Sequence, residues 1–129
     1  MSTSEAVTRQ IRVHVEARYS PEHSSPQQSE WFFLYTVKIE NEGPETAQLL
    51  NRHWIITNAV GDVEQVRGPG VVGQKPVLKQ GESFEYTSGC PLKTPFGSMS
   101  GTYEMVLESG ERFLAEIGAF ALREPGAFH

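Results

Sequence analysis

The chain has 129 residues, 38% of them apolar, with 12 glycines, 8 prolines and a formal net charge of −5. That length suits one domain around one core, and 11 Lys and Arg with no dense run argue against a nucleic-acid surface. One cysteine, Cys90, excludes an internal disulfide and fits a reducing compartment, and no apolar run reaches the ~18–20 residues of a membrane span. Residues 1–10 are polar, without a hydrophobic signal region. The expectation is a cytoplasmic protein with neither nucleic acid nor membrane as partner.

In chain order, residues 1–10 read as a flexible leader. Ile11 to Arg18 then alternates apolar and polar, the two-residue period of a strand. Tyr19 to Glu30 is rich in Ser, Pro and Gln and reads as a loop. Trp31 to Glu40 is a second strand, apolar on both faces over Trp31-Phe32-Phe33-Leu34-Tyr35 and alternating afterwards. Asn41-Glu42-Gly43-Pro44 is a turn by composition. Leu49 to Asn58 is a third strand centred on Trp54, and Val63 to Arg67 a short fourth. Ser83 to Thr87 is a fifth, followed by a long loop from Gly89 to Ser98 carrying Pro91, Pro95 and Gly97. Gly101 to Glu108 and Arg112 to Phe120 form a hairpin across Ser109-Gly110. A flexible tail over residues 123–129 completes the chain. The pattern is all-β: a seven- to eight-stranded antiparallel β-sandwich over residues 11–122, fibronectin type III/Ig-like, without a disulfide. Its core should hold Trp54 together with Val13, Val37, Ile56, Tyr103 and Ile117.

Between the fourth and fifth strands, Gly68-Pro69-Gly70-Val71-Val72-Gly73 spells G-x-G-x-x-G. That pattern holds a pyrophosphate when it opens a helix whose N–H groups face the phosphates. Here Pro76 follows within three residues and disfavours helix at Lys75. The reading is a loop between strands, with no three-turn helix starting between Gly70 and Lys79. A weaker reading keeps the loop as an anion nest, with Arg67, Gly68, Gly70, Gly73 and Lys75 as ligand-binding residues.

The segments Arg52-His53-Trp54-Ile55-Ile56-Thr57-Asn58, Val66 to Pro76, Phe84 to Cys90 and Thr94 to Tyr103 together resemble the bacterial ApaG family, over about residues 9–122. The resemblance implies a fibronectin type III-like sandwich and a link to cobalt and magnesium resistance. It also implies a gene often beside a dinucleoside-tetraphosphate hydrolase, and protein binding in related eukaryotic domains. It brings no established catalytic residues. The resemblance leads one to expect an Asp where Asn58 stands, and the amide weakens any metal role for that position.

The side chains themselves assemble no reaction centre. His14, His23, His53 and His129 are scattered, without the spacing of a metal site. Cys90 has no base near it in sequence and reads as a small buried hydrophobe. The carboxylates Glu16, Glu40, Glu85, Glu104 and Glu116 fall on outward strand positions and read as a solvated face. The expectation is a non-enzyme with no catalytic residue, metal or cofactor, in which Trp31, Phe32, Arg52 and His53 meet an unidentified protein partner; a weak homo-oligomer is compatible with it. The competing reading is a small-ligand domain that takes a phosphate compound or divalent cation at Gly68–Gly73. On the leading reading, nucleotides bind weakly or not at all.

Overall fold

A computed structural model describes residues 1–126. Nine strands are present among them: β1 (Ser2–Thr8), β2 (Ile11–Tyr19), β3 (Trp31–Asn41), β4 (Ala47–Asn58), β5 (Val63–Pro69), β6 (Val77–Leu78), β7 (Ser83–Leu92), β8 (Phe96–Leu107) and β9 (Arg112–Arg123). All pair antiparallel. One sheet runs β1-β2-β3-β7 and the other β5-β4-β8-β9, with β6 beside β4. Two short 3-10 turns, Pro21–His23 and Pro26–Gln28, lie within the loop between β2 and β3. Among the described residues, no helix is long and apolar enough to cross a membrane.

The alternation read from the sequence is what buries one face of each sheet. Ile11, Val13, Val15 and Ala17 of β2 are buried, as are Phe33, Tyr35, Val37 and Ile39 of β3. Trp54 sits at the centre, 3% exposed. Tyr35 lies edge-on to its indole at 5.3 Å between centroids, and Phe120 and Tyr103 lie nearly perpendicular to it at 6.0 and 6.3 Å. Such edge contacts add to the area buried. Val13, Val37, Ile56, Tyr103 and Ile117 share this core, as expected. The hydroxyls of Tyr86 and Tyr103 hydrogen-bond each other inside it.

Three segments differ from the sequence reading. Residues 2–8 are not a frayed leader but a strand, paired with β2 from Ser2↔Ala17 to Thr8↔Ile11. The turn that returns the chain is Arg9-Gln10, both at positive φ (49° and 66°). That geometry matches the twist of a two-residue hairpin, but it lacks the Asn-Gly letters that announce one. The long loop expected over Gly89–Ser98 shrinks to the short link between Leu92 and Phe96, because β7 and β8 run into it. Gly89 is there for space, not for a turn: a Cβ on it would lie 2.2 Å from the Phe32 ring. Pro91 is tolerated because Asn41 N–H donates to Glu82 O, which fixes the even-numbered residues of β7 as those bonded to β3. The missing N–H of Pro91 therefore faces away from the ladder. At the other end, β9 continues to Arg123, and the Trp31 indole N–H donates to the Glu124 carboxylate. Residues 127–129 of the expected tail, His129 included, lie outside the described residues.

The two edges of the sandwich differ. On one side β1 lies along β9: Glu116 N–H donates to Thr8 Oγ1 (3.0 Å), Arg9 pairs with Glu111 (2.8 Å), and Gly118 lies beside Ser4 and Glu5. On the other side β5 and β7 are the last strands of their sheets.

A candidate binding surface along the open edge

The hydrogen-bond phase of β5 decides what this edge offers. Asn58 N–H donates to Asp62 O (3.0 Å), and Gly70 N–H donates to Leu50 O (2.9 Å). With the register His53↔Arg67, those bonds make the even-numbered residues of β5 the ones bonded to β4. The N–H and C=O groups of Val63, Gln65 and Arg67 therefore point away from the sheet, where no strand among the described residues lies. Side chains alternate across the same strand. Val63, Gln65 and Arg67 share the outer face with His53; Glu64 and Val66 share the inner face with Ile56 and Trp54.

A cavity flanks the edge on each face. On the outer face a groove of about 460 Å³ is lined by His53, Arg67, Gly68, Thr102, Glu104 and Leu114, among others. Gln65 Oε1 ties it together, facing His53 Nε2 at 2.8 Å and accepting from Arg67 at 3.2 Å. Asn51 donates to Glu104 at its floor (2.7 Å). On the inner face, where the ends of β5 and β7 approach, a second cavity of about 460 Å³ is lined by His23, Glu30, Trp31, Phe32, Glu64 and Lys93 with Pro91 and Leu92. A smaller one of about 150 Å³ continues it past Asp62 and Val63.

The Gly-rich segment is a loop with no helix, as expected. Gly68 and Pro69 end β5, and Val71 and Gln74 form a bridge around a two-residue turn whose centre, Val72 and Gly73, has φ of 44° and 80°. Val71 N–H donates to Gln74 O and Gln74 N–H to Val71 O, both at 2.8 Å. With Gly70 also bonded to Leu50, three amides of the presumed nest already have acceptors. Gly70, at φ 61°, cannot carry a side chain: a Cβ would lie 2.3 Å from Gln74 O. Arg52, which pairs with Tyr103 and so points inward, donates to Pro69 O (2.9 Å) and Gly70 O (3.0 Å). Its guanidinium covers Gly68, where a Cβ would meet it at 2.9 Å. Arg52 thus staples the loop, and it also lines the outer groove beside His53.

The residues singled out from sequence therefore regroup. Arg67 and Gly68 join His53 in the outer groove, and Trp31 and Phe32 line the inner cavity. Gly70 and Gly73 shape the turn, and Lys75 lies exposed beyond it. Glu64, which the sequence reading passed over, lines both inner cavities. Cys90 is buried, and burial, with the Glu64 charge second, pushes its thiol up to about 12. A thiol so placed stays protonated at neutral pH. His23 Nδ1 contacts Ser20 Oγ (2.7 Å), and His14 lies 3.7 and 3.6 Å from Glu5 and Glu16. Among the described residues, no three His, Cys, Asp or Glu side chains converge as a metal site would require.

The fold is an antiparallel β-sandwich with clefts beside a strand that is unpaired among the described residues. Comparison with known proteins narrows the class. The ApaG domain (DUF525) family model matches residues 21–107. The ApaG protein of Acidithiobacillus ferrooxidans is 53% identical over 120 residues, 93% of this chain and 94% of the relative. That of Bradyrhizobium diazoefficiens is 55% identical, covering 93% and 92%. The chain belongs to the ApaG family. A crystal structure of an ApaA protein from Bordetella pertussis superposes with a TM-score of 0.88 at 52% identity, over 91% of this chain and 95% of that one. A β-glucuronidase 2 of Bacteroides uniformis shares the fold alone, at a TM-score of 0.53 and 16% identity over 12% of its length.

Proposed function

We propose that this ApaG-family chain is a non-enzymatic, cytoplasmic protein-binding module that takes an extended segment of its partner along β5. One observation carries the reading: the outward peptide groups of Val63, Gln65 and Arg67 form an unpaired edge with a cavity on either face. An added strand would satisfy those groups and send alternate side chains into the two cavities, which is how strand-addition modules obtain affinity and specificity. On this reading any role in cobalt or magnesium resistance passes through the partner, not through an ion held by this chain. The small-ligand alternative at Gly68–Gly73 has weaker support, since the Gly70, Val71 and Gln74 amides are committed within the protein.

Photo-crosslinking in the native cell tests the proposal. A photoreactive residue at Val63 should give a discrete crosslinked species, and one at Glu116, on the β1-covered side, should not. Equal crosslinking at both positions would refute it. A thermal-shift panel of pyrophosphate, nucleotides, Mg²⁺ and Co²⁺ addresses the alternative, because a specific ligand at 100 times its Kd adds about 2.7 kcal/mol of stability.

A further inference from the structure

We propose that the partner segment carries a lysine or arginine opposite Glu64, whose cationic head enters the inner cavity between β5 and β7. This rests on the strand-addition reading above and names the chemistry of the occupant. A residue opposite Glu64 on an added strand projects to the same face as Glu64. That face is acidic and aromatic. Glu30 and Glu64 line the main cavity and Asp62 its continuation, against one cation, Lys93. Three carboxylates against Lys93 leave two negative charges in excess among these side chains. Among the described residues, the Glu64 side chain has no hydrogen bond or ion pair, and the Asp62 side chain accepts from the Asn58 side chain only at a long 3.4 Å. Trp31 and Phe32 supply ring surface beside them. A carboxylate next to aromatic faces suits a guanidinium or ammonium, by charge-assisted hydrogen bonding and cation–π attraction.

The outer face sets the complementary rule. Residues flanking the basic one would sit opposite Val63 and Gln65 on the outer face, the latter diagonal to Arg67, so a second cation there meets Arg67 across the diagonal. The segment should alternate, basic towards the cavity and apolar or acidic towards the groove. A second copy of the chain fits poorly. Two β5 edges paired antiparallel through their outward groups centre on Gln65 and set Val63 opposite Arg67 and Glu64 opposite Val66. Each Glu64 carboxylate would then be covered by the interface with no cation facing it.

The test is selection from a phage-displayed library of random heptapeptides with the full chain as bait, followed by titration of the synthetic winner. Lys or Arg should be enriched at a single position, with few basic neighbours. Glu64→Gln should weaken the selected peptide at least tenfold, while Glu116→Gln changes it less than twofold. Amides of Val63, Gln65 and Arg67 should become protected from exchange on binding. A consensus without a basic residue, or an affinity that Glu64→Gln leaves unchanged, overturns this inference while strand addition at β5 stands. No enrichment at all, or concentration-dependent dimerisation through β5, overturns both.

Discussion

The edge closed by β1 and the edge left open at β5 are built from similar material and end differently. Both strands are seven residues long and largely polar on at least one face: Ser2–Thr8 and Val63–Pro69. β1 lies beside β9, with backbone and side-chain bonds at Glu116 and Glu111, so its outward side is occupied. Among the described residues, β5 has no such neighbour. It carries instead an inward-pointing acid, Glu64, and ends in Pro69, two devices that keep a free edge from pairing indiscriminately. The difference teaches that an edge can be protected by filling it or by making it selective, and only the second leaves a surface for a partner.

The core that both edges share sets the largest expected effect. Trp54→Ala should cost about 3–5 kcal/mol by urea denaturation, through the cavity left among Tyr35, Tyr103 and Phe120. A loss near 1 kcal/mol would mean that the indole is not central.

Proline substitutions separate the edges next. Val66→Pro removes an N–H that bonds to β4 and should cost about 3 kcal/mol. Gln65→Pro removes an outward N–H and should cost about 1 kcal/mol or less, mainly through the side-chain contacts to His53 and Arg67. Ala6→Pro in β1 should resemble Val66→Pro: Glu42 N–H donates to Gln10 O, which assigns the even residues of β2 to β3 and leaves Val13 to bond Ala6. Equal costs for Gln65→Pro and Val66→Pro in the same denaturation assay would show that the phase of β5 is misassigned.

Alkaline pH should act through the groups buried near the open side. Cys90 moves from an ordinary value near 9 to about 12 on folding, chiefly through burial. Below about pH 9 the thiol is protonated in both states and contributes no pH dependence. From there to about 12 the unfolded chain ionises first, so stability falls by up to about 1.4 kcal/mol per pH unit. Burial raises Tyr35, Tyr86 and Tyr103 as well, and adds to the fall above about pH 10. Urea midpoints at about pH 8 and about pH 10 should show the loss, and Cys90→Ala should reduce the part that begins near pH 9.

The smallest expected effect is a gain. Val72 is β-branched, exposed and held at φ 44°, at the first central position of a turn that favours Asn-Gly. Val72→Asn should stabilise by about 0.5–1 kcal/mol, read as a raised Tm. Destabilisation instead would show that Val72 makes contacts worth more than its strain.

Much of the architecture was legible because alternation survives wherever a strand buries one face, as in Ile11 to Ala17. β1 was not, since its residues are polar and its Arg9-Gln10 turn uses positive φ without the usual letters. Gly89 and Pro91 misled for the opposite reason: turn-forming residues serve clearance and a free edge here. The site was legible in pieces. Arg67, Gly68 and His53 were singled out separately, and only the register brings them into one groove. Arg52 lines that groove too, but its bonds to Pro69 O and Gly70 O depend on carbonyl positions that the sequence does not reveal. Glu64 could have been found by noting that it shares a face with Val66 in a strand whose inner side points to the core.

Amide hydrogen exchange resolved by residue tests the central claim most directly. In the free chain, the amides of Val63, Gln65 and Arg67 should exchange far faster than those of Glu64 and Val66 between them, while alternate amides of β1 and β9 are both slowed where the two strands lie together. Uniform protection along β5 would contradict the account, since it would mean that the edge is already paired.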